Sequence, residues 1–97
     1  MRRVIQRLDR GNLEDLRAVA QNFTAGTAGI FVAALQDPPS VLLAASADSG
    51  IDAGRVLKAA LIESGGRGGG NGRIAQGSVP NAQALDLLMA KLTASLG

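Results

Sequence analysis

The sequence predicts an α/β (α+β) domain, a small mixed sheet with three helices packed on it. Three observations lead there. Two unbroken apolar runs, 29–35 and 41–47, are separated by a short turn. Three other segments place apolar residues at spacings of three and four. The chain has 97 residues, enough for one core that buries roughly 60–70% of the unfolded surface. The expected order is strand, helix, strand, strand, helix, a short further strand, helix.

Val4 to Leu8 alternates in character and reads as a first strand with one wet face. Gly11 and Asn12 break it, and Asn12 is placed to cap a helix with Asp15 three residues on. Leu13, Leu16, Ala20 and Phe23 then form the inner stripe of a first helix ending near Asn22, with a small-residue turn at 24–27. The two apolar runs suit strands covered on both faces. Gln36-Asp37-Pro38-Pro39-Ser40 between them allows only an antiparallel hairpin, so this pair forms the sheet centre. Asp48 to Gly50 ends the hairpin. Asp52 caps a second helix through Glu63, with Val56, Leu57, Ala60 and Leu61 inward and a C-cap glycine at 65–66. Ile74-Ala75-Gln76 adds the short strand. Pro80-Asn81 precedes a third helix whose Leu85, Leu88, Met89, Leu92 and Leu96 are core residues.

Composition excludes much chemistry. Cysteine and histidine are absent, which removes thiolate nucleophiles, imidazole bases, disulfides and nearly every transition-metal site. Phe23 and Phe31 are the only aromatic residues, so base-stacking platforms are lacking. No segment resembles a signal peptide or a membrane span, and a cytoplasmic location is the default expectation. The net charge is +2, but its distribution is uneven. Arg2, Arg3, Arg7 and Arg10 crowd the N-terminus against Asp9. Between positions 55 and 73, Arg55, Lys58, Arg67 and Arg73 face only Glu63.

Seven of the thirteen glycines fall between Gly65 and Gly77, together with Arg67 and Arg73 and no acid. Bare amides beside guanidinium groups suit the phosphates of a nucleic acid. A dinucleotide or nucleoside-triphosphate loop would follow a strand and open a helix, whereas these glycines follow a helix. A flexible linker would separate two folding units, whereas one amphipathic helix remains after the segment and cannot bury its own face. The segment therefore lies inside the domain, either as a purely structural helix exit crossing the sheet or as a tight, side-chain-poor cradle for phosphates. Gly69 is expected to need positive φ or close packing.

Gly65-Gly66-Arg67-Gly68-Gly69-Gly70, followed by Arg73-Ile74-Ala75-Gln76-Gly77, resembles the signature of the C-terminal domain of bacterial alanyl-tRNA synthetases. This is the synthetase version of the DHH-associated domain, shared with the DHH phosphoesterases, and the resemblance runs from Val4 to Leu96. The family has Arg-Pro-Asp where this chain has Asn71-Gly72-Arg73. The phosphoesterase branch carries a histidine after its glycines, so a chain without histidine is closer to the synthetase branch.

The resemblance implies a non-catalytic tRNA-binding module of an alanine–tRNA ligase, positioning tRNA(Ala) for aminoacylation and editing. ATP and zinc then belong to the parent protein, and this chain needs no cofactor. It also implies that 1–97 is one domain cut from a longer chain, without the family's preceding dimerisation helices. The intact protein is a possible homodimer, and the isolated domain a monomer or weak dimer. The RNA-binding residues expected are Arg67, Gly68, Gly69, Gly70, Arg73, Gln76, Arg55 and Lys58. For Gln76 an amide that satisfies loop backbone remains the alternative. Recognition is expected to follow RNA shape and backbone. Two other readings stay open: the substrate-binding domain of a DHH-type phosphoesterase, and an oligomerisation domain pairing through a sheet edge or the third helix.

Overall fold

A computed structural model describes residues 2–10, 13–26, 29–37, 39–46 and 49–96. The elements are β1 (Arg2–Arg10), α1 (Leu13–Gly26), β2 (Gly29–Asp37), β3 (Pro39–Ala45), α2 (Ala53–Ser64), β4 (Arg67–Gly70), β5 (Ile74–Ser78) and α3 (Ala82–Leu96). The five strands form one mixed sheet in the order β1-β2-β3-β5-β4. β1 runs parallel to β2, as its connection through α1 requires, and every other pairing is antiparallel.

The apolar runs occupy β2 and β3, and their alternation feeds two cores. Ile30, Val32 and Ala34 of β2, with Val41, Leu43 and Ala45 of β3, face α2 and α3. Phe31, Ala33 and Leu35, with Leu42 and Ala44, face Leu16 and Ala20 of α1. Burial on both faces explains why neither run carries a polar period. With so few aromatics, small alanines in the sheet let the helices sit close. Phe23 and Phe31 make a tilted ring pair with centroids 6.0 Å apart.

The ends of α2 behave as the sequence indicates. Asp52 accepts a hydrogen bond from the Arg55 amide at 3.1 Å, and Gly65 takes φ 79° at the C-cap, with the Gly66 amide donating to the Leu61 carbonyl. Ala60, Leu57 and Leu61 are buried, while Val56 is only partly so. Asn81 caps α3 by accepting from the Ala84 amide at 2.8 Å, and Leu85, Leu88, Met89 and Leu92 are buried. The side chain of Leu96 lies outside the described residues, as do Asn12 and Asp48.

Three elements differ from expectation. β1 spans nine residues instead of five, because pairing with β2 extends from Arg2 to Arg10. α1 continues to Gly26, past the turn expected there. Most consequentially, the glycine segment is a strand. Arg67–Gly70 pairs with β5 in the register Arg67↔Ser78, Gly68↔Gly77, Gly69↔Gln76 and Gly70↔Ala75. Strand propensity argues against such a sequence, and tertiary pairing overrides it.

Candidate nucleic-acid interface

The site is built by a tight turn between β4 and β5. Asn71 accepts from the amides of Arg73 and Ile74 through Oδ1, at 2.8 and 3.0 Å, and its own amide donates to the Ile74 carbonyl. This Asx-type closure gives Asn71-Gly72-Arg73, where the chain departs from the resembled pattern, a structural role. The turn is anchored twice. The Ala45 amide donates to the Arg73 carbonyl at 2.7 Å, and the first amides of α2, Ala53 and Gly54, donate to the carbonyls of Gly72 and Asn71. Those helix amides are therefore spent on the turn and do not offer an anion site of their own.

Because Asn71 and Ile74 form a hydrogen-bonded pair, ladder alternation turns the Gly69 amide toward β5 and those of Gly68 and Gly70 toward the free outer edge. Gly68 has φ 154°, and a Cβ there would lie 2.3 Å from the Gln76 carbonyl oxygen and 2.4 Å from the Gly77 Cα. At Gly70 a Cβ would lie 2.3 Å from the Ile74 oxygen. Only hydrogens fit in that slot between the strands. Gly69 differs: a Cβ there meets nothing within 4 Å and its φ is ordinary. The expectation that Gly69 needs positive φ or close packing is thus wrong, and the steric demand falls on its two neighbours.

Between the outer edge of β4 and the first turns of α2 lies an open groove of about 520 Å³. Asp52, Gly54, Arg55 and Lys58 line one side, and Gly68 to Gly72 the other. The fold thus brings together Arg55, Lys58 and the glycine edge. It does not gather Arg67 and Arg73 with them. These two flank the hairpin at opposite ends, separated by about 17 Å along β5 at ordinary strand rise. Arg73 borders a hollow with Ser46, Gly50, Ile51 and Asp52, and Arg67 borders one with Gly65, Gly66, Ser78 and Pro80. Gln76 is on the opposite sheet face, paired across from Leu42 and Gly69.

Electrostatics separates these cations from others in the chain. Arg7 pairs with Asp86, and Lys91 pairs with Glu63 at 3.3 Å, which draws away the one acid between positions 55 and 73. Among the described residues, Arg55, Lys58, Arg67 and Arg73 are exposed and make no ion pair, as does Arg17 on α1. Among the described residues, Asp52 is the single carboxylate lining the groove. Gln76 is half-buried, and its side chain makes no hydrogen bond to a described residue. Among the described residues it satisfies no loop backbone group. Asn71, Gly54 and Asp52 are the site-forming residues that a search for cations passes over. Asn71, whose side-chain oxygen accepts from amides two and three residues on, is the turn-forming signal that could have revealed the hairpin.

The fold and site define a glycine-edged α+β domain with helices on both faces of a five-stranded sheet. The sequence profile of the DHHA1 domain matches residues 3–97, and the chain belongs to that family. Among solved structures, it shares its fold with the C-Ala domain from Aquifex aeolicus alanyl-tRNA synthetase, at a TM-score of 0.75 and 21% identity. That match covers 94% of this chain and 90% of the other. A search of the curated proteins finds no match. No helix among the described residues is long and apolar enough to cross a membrane.

Proposed function

We propose that the chain is a tRNA-binding module of an alanine–tRNA ligase, without catalysis of its own, that helps hold tRNA(Ala) for aminoacylation and editing in the cytoplasm. One observation carries this reading: Arg55 and Lys58 along the groove and Arg67 and Arg73 at the hairpin ends, all without an ion pair among the described residues, lie about a strand edge of three glycines. Arg55 and Lys58 receive phosphates on the groove side, with the outward amides of Gly68 and Gly70 near the RNA backbone. Arg67 and Arg73 take phosphates at the two ends of the hairpin. DHHA1 membership and the fold shared with a synthetase domain support the choice of partner.

The spread of these cations favours a backbone tracked over a distance over a single anion in a pocket. That is the chief reason for preferring RNA to the other DHHA1 reading, the substrate-binding half of a phosphoesterase. The same groove has room for one nucleotide phosphate, so that reading keeps an observation of its own. A chain without histidine lacks the group which the phosphoesterase branch adds after its glycines.

Filter binding of tRNA(Ala) to the 97-residue chain tests the proposal. Arg67→Ala combined with Arg73→Ala is expected to weaken retention at low salt while leaving the thermal transition in place. Equal retention by the double variant and the parent overturns the assignment. A preference for free mononucleotides over tRNA favours the phosphoesterase reading instead.

A further inference from the structure

We propose that a second copy of this chain pairs along the outer edge of β1, antiparallel and centred on Gln6, joining two five-stranded sheets into one. This edge lies at the far end of the strand order from the glycine strand β4, so the pairing is independent of the RNA-binding reading.

β1 is a long strand paired on one side only. It runs nine residues, and among the described residues no strand pairs with its far edge. Its free main-chain groups follow from the ladder. The Ser46 amide donates to the Gly29 carbonyl, so odd-numbered residues of β2 turn their amides and carbonyls to β3, and even-numbered ones to β1. The parallel register then commits the even-numbered residues of β1 to β2 and leaves Arg3, Ile5, Arg7 and Asp9 with both groups outward. The helices cover this strand poorly. Ile5 is 43% exposed and Leu8 38%, while Val4 is only partly buried against the α1 core. Val4, Gln6 and Leu8 share the α1 face; Ile5 and Arg7 share the α3 face, where Arg7 meets Asp86. A long edge with apolar side chains on both faces is a template for another strand.

The pattern along the strand selects the partner. Read from either end toward Gln6, β1 matches its own character: an arginine at each end, opposite charges at 3 and 9, and apolar Val4 and Leu8. A two-fold axis at Gln6 therefore sets Arg3 opposite Asp9, Val4 opposite Leu8, Ile5 opposite Arg7 and Gln6 opposite its own copy. The outward-facing residues all fall in hydrogen-bonded pairs, giving about eight main-chain bonds across the seam. Arg2 and Arg10 meet only beyond the last of these. Val4 and Leu8 cover each other twice on the α1 face. On the α3 face, Arg7, held by Asp86 of its own helix, lays its stem along Ile5 of the other copy.

Charge excludes the neighbouring registers. Sliding the copies by two residues one way sets Arg3 opposite Arg7 in both halves, and sliding the other way sets Arg7 opposite its own copy. Like charges directly opposite are destabilising. Odd shifts set outward-facing residues against ones already committed to β2. The arginines that guard this edge against other strands thus leave one register open to a second copy.

The test is sedimentation equilibrium of the 97-residue chain without RNA, together with single-cysteine variants of a chain that has no other thiol. The mean mass is expected to rise from 9.8 kDa toward twice that value with concentration. Gln6→Cys places two thiols opposite each other in a non-hydrogen-bonded pair, with Cα atoms about 4.5 Å apart, and is expected to oxidise to a covalent dimer. Leu8→Cys lies on the same face, but its two copies stand about 14 Å apart along the seam and are expected to stay reduced. Ile5→Pro removes an outward amide and spares the β2 ladder. It is expected to weaken dimerisation by about 10- to 100-fold with the thermal transition preserved. A mass that stays at 9.8 kDa up to about 1 mM overturns the pairing. Crosslinking of Leu8→Cys as fast as Gln6→Cys overturns the register, and the proposal with it. A dimer undiminished in Ile5→Pro lies on another surface and also overturns the proposal. If that variant fails to fold, the two cysteine variants decide alone.

Discussion

Replacing Gly68 by alanine places a methyl carbon 2.3 Å from the Gln76 carbonyl oxygen, over an ångström short of ordinary contact at 3.4 Å. The slot cannot widen without separating β4 from β5, since the atoms in the way are backbone. Alanine also resists the φ of 154° that Gly68 adopts. Overpacking and backbone strain together amount to about 2–4 kcal/mol, limited by the option of peeling away a short edge strand. For a domain of this size that lowers Tm by about 10–25 °C. Gly69→Ala is the internal control, because its Cβ enters open space. The glycine's extra freedom in the unfolded chain is then removed at no native cost, and stability stays level or rises by up to about 1 kcal/mol. Thermal melts followed by far-ultraviolet circular dichroism separate the two variants. Equal losses at both positions refute the register, and equal tolerance refutes the claim that β4 is sterically required to be glycine at alternate positions.

The remaining predictions concern the groove and its turn. Asp52→Ala removes the α2 N-cap and is expected to destabilise the fold by about 1 kcal/mol in a denaturant melt. The same change deletes the only carboxylate that lines the groove among the described residues and is expected to tighten RNA binding by about 2- to 5-fold at low salt, opposite in sign to its effect on stability. Asn71→Ala withdraws the acceptor for the Arg73 and Ile74 amides, and hydrogen exchange at both is expected to speed up with a loss of about 1–2 kcal/mol. Leu61→Ala, fully buried beneath the hairpin, is expected to cost about 2–5 kcal/mol by chemical denaturation.

Much of this architecture was legible from side-chain pattern. The β2–β3 hairpin was readable because its apolar runs are bounded by a proline turn, and α2 and α3 because period and caps agree. β5 was found from three residues. β4 was not, since a strand of Arg67 and three glycines has no apolar period, and its pairing depends on the small residues Gly77 and Ala75 across the ladder. For the same reason the sequence could not distinguish Gly69 from its neighbours: which glycine is crowded depends on register. Arg55, Lys58, Arg67 and Arg73 were nameable by charge. Their division into two cations along a groove and one at each hairpin end required the turn at Asn71. So did the placement of Gln76 on the other sheet face.

The measurement that bears most directly on the cation assignment is the salt dependence of tRNA(Ala) binding. The parent chain is expected to give a slope of log K against log salt of roughly −2 to −4, from three or four neutralised phosphates. Replacing Arg55, Lys58, Arg67 and Arg73 together by alanine is expected to bring that slope near zero and abolish retention, with the thermal transition preserved. A folded quadruple variant that binds as the parent does, with the same slope, contradicts the account.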